Sequence, residues 1–108
     1  MKYISLDIET STLQPHPSHI LGISLVVEDT NNPKPLKELP HFTCIVRPDH
    51  IWGDPYALWM NSWIIEILSG KKESPYPVLS TWEAIDKAGE FVKEHFGQKK
   101  AVAAGTLS

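Results

Sequence analysis

Cysteine is nearly absent from this chain. Cys44 is the only one in 108 residues, so no internal disulfide can form, and a reducing, cytoplasmic setting fits. Its place in the alternating run His41-Phe42-Thr43-Cys44-Ile45-Val46 reads as a packed strand thiol rather than a nucleophile. Long hydrophobic runs are missing too: nothing approaches the roughly 18 apolar residues that cross a bilayer, so no membrane association is expected. A secretory leader is not evident, because a single Lys2 gives way at once to a strand pattern. Basic charge is scarce. Ten Lys and Arg against 13 Asp and Glu leave a net charge of −3, which argues against holding nucleic acid on a broad basic surface. It does not exclude an enzyme whose bound cations meet the phosphate. Repeats and low-complexity tracts are also lacking.

What is present suits one domain with one core. Hydrophobic residues make up 42% and charged residues 21%, ordinary values for a globular protein. Residues 2–9, 20–27 and 41–47 read as three strands, and the connection Asp29-Thr30-Asn31-Asn32-Pro33-Lys34-Pro35 reads as exposed. Three successive strands joined by turns predict an antiparallel meander. The period then changes. Asp54-Pro55 predicts a helix start, with Asp54 as side-chain cap, and Met60, Trp63, Ile64, Ile67 and Leu68 recur at helical spacing until Ser69-Gly70. After a proline-containing link at 74–77, Ser80 and Glu83 form a capping box. Ile85, Ala88, Val92 and Phe96 continue the helix that Gly97 closes. Residues 101–105 read as a short buried strand that pairs in parallel with the first through the helical crossover. The basic pairs Lys71-Lys72 and Lys99-Lys100 flank helix ends and read as complements to helix dipoles. The predicted class is α/β, a mixed sheet with helices against it. The stop at Ser108 is expected to leave the sheet's last edge or face uncovered.

The segment Leu6-Asp7-Ile8-Glu9-Thr10 carries the chemistry. Side chains on a strand alternate faces, so Asp7 and Glu9 share one face while Ile4, Leu6 and Ile8 point to a core. Two carboxylates about 6–7 Å apart along a strand repel unless water or a cation separates them. A hard divalent ion such as Mg²⁺ or Mn²⁺ would remove that repulsion. The pair also sits at a strand end beside the hydroxyl-rich turn Thr10-Ser11-Thr12-Leu13-Gln14-Pro15, where sheet proteins commonly place chemistry. The five histidines show no paired ligand spacing. His16 and His19 flank Pro17-Ser18 in a loop and are the only two that invite a zinc reading.

With these residues in view, the chain resembles the amino-terminal part of a DEDD-type 3′–5′ exonuclease of the ribonuclease T and oligoribonuclease kind. The likeness rests on residues 6–13, L-D-I-E-T-S-T-L, on the helix carrying Met60-Asn61-Ser62-Trp63, and on Val102-Ala103-Ala104-Gly105-Thr106-Leu107-Ser108, similar to the lead-in to that family's second motif. The resemblance implies a ribonuclease H-like α/β fold, truncated at its C-terminal end. It implies that Asp7 and Glu9 are catalytic and bind Mg²⁺ or Mn²⁺, two per complete site. Two metals about 4 Å apart activate the attacking water and stabilise the leaving 3′ oxygen. It further implies that Thr10 meets the terminal nucleotide, that Leu13 wedges against its base, and that Trp63 stacks on it. The partner would be the 3′ end of single-stranded DNA or RNA. Ordinary roles stand beside these: Leu13 covering the sheet end, Trp63 in the core, Thr10 as a turn hydroxyl. The chain departs from the pattern where Leu68 stands in place of a histidine, and where Thr106-Leu107 stands in place of His-Asn. It holds two of the five catalytic side chains that pattern requires, so residues 1–108 alone are expected to be inactive or nearly so. The competing readings are a non-catalytic binding or assembly module, met by a partner or by a second copy in a homo-oligomer, and an aspartate-based phosphatase. The latter calls for a helix directly after the first strand.

Overall fold

A computed structural model describes residues 1–13 and 16–97, together with the backbone of 103–107. Gln14 and Pro15 of the expected turn, Lys99 and Lys100, residues 101–102 of the expected last strand, and Ser108 lie outside the described residues. The strands are β1 (Lys2–Thr10), β2 (Ile20–Asp29), β3 (His41–Arg47), β4 (Val78–Ser80) and β5 (Ala103–Leu107). The helices are α1 (Pro55–Met60), α2 (Ser62–Leu68) and α3 (Thr81–Phe96). None of the described helices is long and apolar enough to cross a membrane.

The strands form one sheet in the order β4-β3-β2-β1-β5. The predicted meander is there: β1 pairs antiparallel with β2, and β2 with β3. The last strand runs parallel to β1, with Asp7 opposite Thr106, so only β2 opposes the other strands. The fold is α/β. After β1 the chain makes a 3₁₀ turn, Pro17–His19, and enters β2, without the α-helix that the phosphatase reading requires.

Two cores flank the sheet. On one face Ile4, Ile23, Leu25, Val27, Cys44 and Val46 pack with Ala84 and Phe91 of α3. On the other, Leu21 and Ile45 pack with Ile64 and Leu68 of α2. This explains why Ile45, opposite in parity to Phe42, Cys44 and Val46, is nonetheless buried: α2 covers the second face. The α3 start is as expected, with Ser80 Oγ accepting from the Glu83 N–H and Glu83 Oε1 accepting from the Ser80 N–H. Gly97 ends it at φ 60°. Ala88, Val92 and Phe96 of the expected α3 stripe pack against the first of these cores beside the buried Ala84 and Phe91; Ile85 is the one expected residue not among them.

Two local expectations are corrected, and one strand is added. The single helix predicted after Asp54 is two, broken at Asn61 (φ −107°, ψ 25°). Asn61 is buried, and its Nδ2 donates to the Thr10 and Ala57 carbonyls at 3.0 and 3.2 Å. Tying the helix to the end of β1 in this way turns the chain between α1 and α2. Asp54 precedes α1 but does not cap it with its side chain. Its Oδ2 instead accepts from Thr12 Oγ1 at 2.9 Å. Finally, residues 78–80, just past the proline-containing link, form β4, parallel to β3.

Cys44 is 1% exposed, and burial pushes its thiol up from the ordinary value, opposed by a backbone hydrogen bond from Ile23. The neutral thiol is unreactive. Alkylation of Cys44 in the folded chain is expected to be slower than in urea by a factor on the order of 100 or more, because reaction requires opening of the sheet. Equal rates in the two conditions would contradict its burial.

Candidate functional site

The strand parity places Asp7 and Glu9 on the α2 face, opposite Ser24 and Gly22 of β2. Beyond those, Thr43 and Ile45 of β3 continue the same rows. The two carboxylates line one cavity of about 190 Å³ with Gly22, Ser24, Thr43, Trp63 and Tyr76. The Ser24 and Thr43 hydroxyls hydrogen-bond to each other at 3.0 Å. Gly22 leaves the space beside Glu9 open: a Cβ there would lie 3.6 Å from the Glu9 Cβ and 3.5 Å from Ile64 Cδ1. Two carboxylates and two hydroxyls bring oxygen donors to this lining, the donor chemistry that Mg²⁺ and Mn²⁺ take. Among the described residues no group of three His, Cys, Asp or Glu side chains is placed to hold a metal. The described residues therefore do not by themselves supply the ligands of a close pair of metals.

A second cavity, about 400 Å³, adjoins the first. It is lined by Glu9, Leu13, Tyr56, Ala57, Met60, Asn61 and Trp63. Glu9 and Trp63 belong to both cavities, so the two form one cleft, with carboxylates at one end and apolar side chains at the other. Leu13 is 66% exposed, Met60 52% and Trp63 41%. Ile64, Ile67 and Leu68 of the predicted stripe are buried, whereas Met60 and Trp63 face the cleft. The break at Asn61 separates Met60 from the core-facing residues, whereas Trp63 shares α2 with them and stays partly exposed in its first turn.

The wall behind the cleft is unusually tight. Thr10, Ser11 and Thr12 are buried, although polar loops normally stay wet. Backbone pairing compensates: the Ser11 N–H donates to the His19 carbonyl, and the Asp54 N–H donates to the Ser11 carbonyl, both at 2.9 Å. Gly53 permits this approach, since a Cβ there would come within 1.9 Å of the Ser11 carbonyl oxygen. Thr10 is not among the residues lining either cavity. Its hydroxyl donates to the Thr12 carbonyl at 2.6 Å, and its own carbonyl holds Asn61.

Set against known protein families, curated proteins and solved structures, the chain matches none. Its chemistry rests on its own geometry. Of the sequence-predicted residues, Asp7, Glu9, Leu13 and Trp63 come together in one cleft, and Thr10 lies behind it. Tyr56, Met60, Asn61 and Tyr76 were not expected as site residues. Met60 and Asn61 fell within the Met60-Asn61-Ser62-Trp63 segment that carried the resemblance, without a role of their own; Tyr56 and Tyr76 carried no signal.

The histidine pair is built differently from a zinc site. His16 Nδ1 lies 2.7 Å from Ser18 Oγ, and the buried His19 has Nδ1 3.4 Å from Ser11 Oγ. The His19 ring meets Trp52 edge-on at 4.4 Å. Away from the cleft, Lys72 bonds Glu66 at 2.8 Å and holds that carboxyl below its ordinary range. Lys72 thus pairs with a side chain rather than serving only the helix dipole.

Proposed function

We propose that this chain is the amino-terminal part of a ribonuclease H-like 3′–5′ exonuclease domain of the DEDD type. The observation that carries the reading is the joining, at Glu9, of a carboxylate pair to an apolar cleft lined by Leu13 and Trp63. A 3′-terminal nucleotide presents those two chemistries side by side: a planar base, and a phosphodiester whose charge needs a cation. Trp63, with Met60 and Tyr56, offers the base a stacking surface, and Leu13 closes over its edge. Asp7 and Glu9 would hold the divalent cation, which when bound supplies charge neutralisation at the phosphate and a more acidic water. Asn61 positions the cleft by holding the α1–α2 turn to the end of β1.

The sheet order supports the same reading. A meander β3-β2-β1 followed by a parallel strand beside β1 is the arrangement the resemblance implies. With Thr106 opposite Asp7 and Leu107 opposite Ile8, β5 runs toward the Glu9 end of β1. That is the side on which the family pattern calls for its third carboxylate. Two carboxylates alone do not fix two metals and deprotonate a water, so residues 1–108 by themselves are expected to bind far better than they cleave.

Trp63→Ala is the direct test of the base-binding half. Stacking of a base on an aromatic side chain contributes roughly 1–3 kcal/mol. The variant should therefore bind a short single-stranded oligonucleotide at least about fivefold more weakly in a fluorescence titration. Unchanged affinity would sink the assignment of this cleft to the 3′ nucleotide.

A further inference from the structure

A third cavity, about 480 Å³, lies at the same end of the sheet, where loops leave β3 and β4 and enter β2. Its lining includes His16, Ser18, Asp49, His50, Trp52 and Trp82. Nothing in the proposed chemistry uses it. Two features set it apart from a simple surface dent. Trp52 and Trp82 are 61% and 70% exposed, large apolar faces left in water although the chain has two cores to receive them. Trp52 is also held in place, its ring met edge-on by the buried His19. Aromatic surfaces around a chamber of this size, one of them held in place, with a few polar groups, characterise ligand sites.

The cavity and the cleft are lined by neighbouring stretches of chain. Trp52 lines one and Tyr56 the other; four residues apart, their Cα atoms are at most roughly 14 Å from each other. Between them stand Gly53 and Asp54, locked against Ser11 and Thr12. A strand whose end sits against Leu13 and Trp63 would cross this ridge to reach the third cavity. On the far side it would meet the two tryptophans, with His16, Ser18 and His50 as hydrogen-bonding side chains beside Asp49.

We infer that the Trp52–Trp82 cavity is a second stacking subsite, which takes an unpaired base of the same single strand upstream of the 3′-terminal nucleotide. The inference rests on the exonuclease reading of the cleft and extends it to substrate length: strands long enough to cross the ridge gain affinity that shorter ones lack. Base stacking tolerates any sequence, so the gain depends on length and little on composition.

The test is a length series of single-stranded oligonucleotides, two to eight nucleotides, titrated in EDTA against the full 108-residue chain and its Trp82→Ala and Trp63→Ala variants. Trp82 is exposed, so its replacement leaves both cores intact; His50→Ala serves as a second variant away from α3. The expected result is a step of at least about fivefold in affinity with length. Trp82→Ala should abolish the step and leave the shortest strands unaffected, whereas Trp63→Ala should weaken every length. Loss at all lengths in Trp63→Ala with no change in Trp82→Ala overturns the subsite and leaves the cleft reading standing. Binding that depends on Trp82 but not on Trp63 overturns the cleft reading instead, and no binding at any length overturns both. Tryptophan quenching by chitotetraose that Trp82→Ala removes, with no length step for oligonucleotides, would reassign the cavity to carbohydrate.

Discussion

Gly53→Ala is expected to destabilise the chain by about 3 kcal/mol or more, toward the upper end for overpacking into fixed surroundings. The added Cβ would lie 1.9 Å from the Ser11 carbonyl oxygen, 2.6 Å from its carbon and 2.9 Å from its Cβ. These are backbone and short side-chain atoms that cannot swing aside. Relief requires moving residues 10–12 away from 53–54, which breaks the Asp54 N–H bond to Ser11 and strains the Thr12–Asp54 bond. The displaced segment is the wall of the cleft, so Leu13 moves with it. A fall in Tm of more than about 10 °C should result. Gly89→Ala is the matched control: nothing lies within 4 Å of the added Cβ, in the middle of α3. Ala there should stabilise by about 0.5–1 kcal/mol through helix propensity. Thermal unfolding followed by circular dichroism distinguishes the two. Equal Tm shifts would mean that residues 53 and 11 do not approach as described.

The contrast between these glycines shows what the sequence could tell. Nothing local distinguishes Gly53 from Gly89, because the crowding at Gly53 comes from Ser11, 42 positions away in the chain. Features set by neighbours in sequence were legible. The parity that puts Asp7 and Glu9 on one face, the Ser80–Glu83 box and the meander all come from periods of two to four residues. Features set by distant contacts were not. Asn61 looks like an ordinary helix residue until its amide is seen on the Thr10 carbonyl. Asp54 has the composition of a cap, yet its carboxylate serves Thr12, because the tight approach at Gly53 brings the two together. β4 has three residues and comes after two prolines, too little for any pattern to register; it forms because β3 offers it a parallel edge. The site was legible to the same degree: Glu9, Leu13 and Trp63 could be singled out, but not the Tyr56 and Met60 surface that joins them.

The second large effect concerns the carboxylates. Asp7→Asn with Glu9→Gln keeps the shape of both side chains and removes both negative charges. Hard divalent cations depend on that charge, so cation binding by the strand-end pair should vanish. Folding should be kept, since neither side chain belongs to a core.

Calorimetric titration with Mn²⁺ of the unaltered chain and of this double variant is the measurement to make first. With two carboxylates and water as ligands, the unaltered chain should bind one ion weakly, with Kd on the order of 10⁻⁴–10⁻³ M. The folded variant should show no binding heat. Absence of binding by the unaltered chain, or equal binding by both, would contradict a cation site on Asp7 and Glu9.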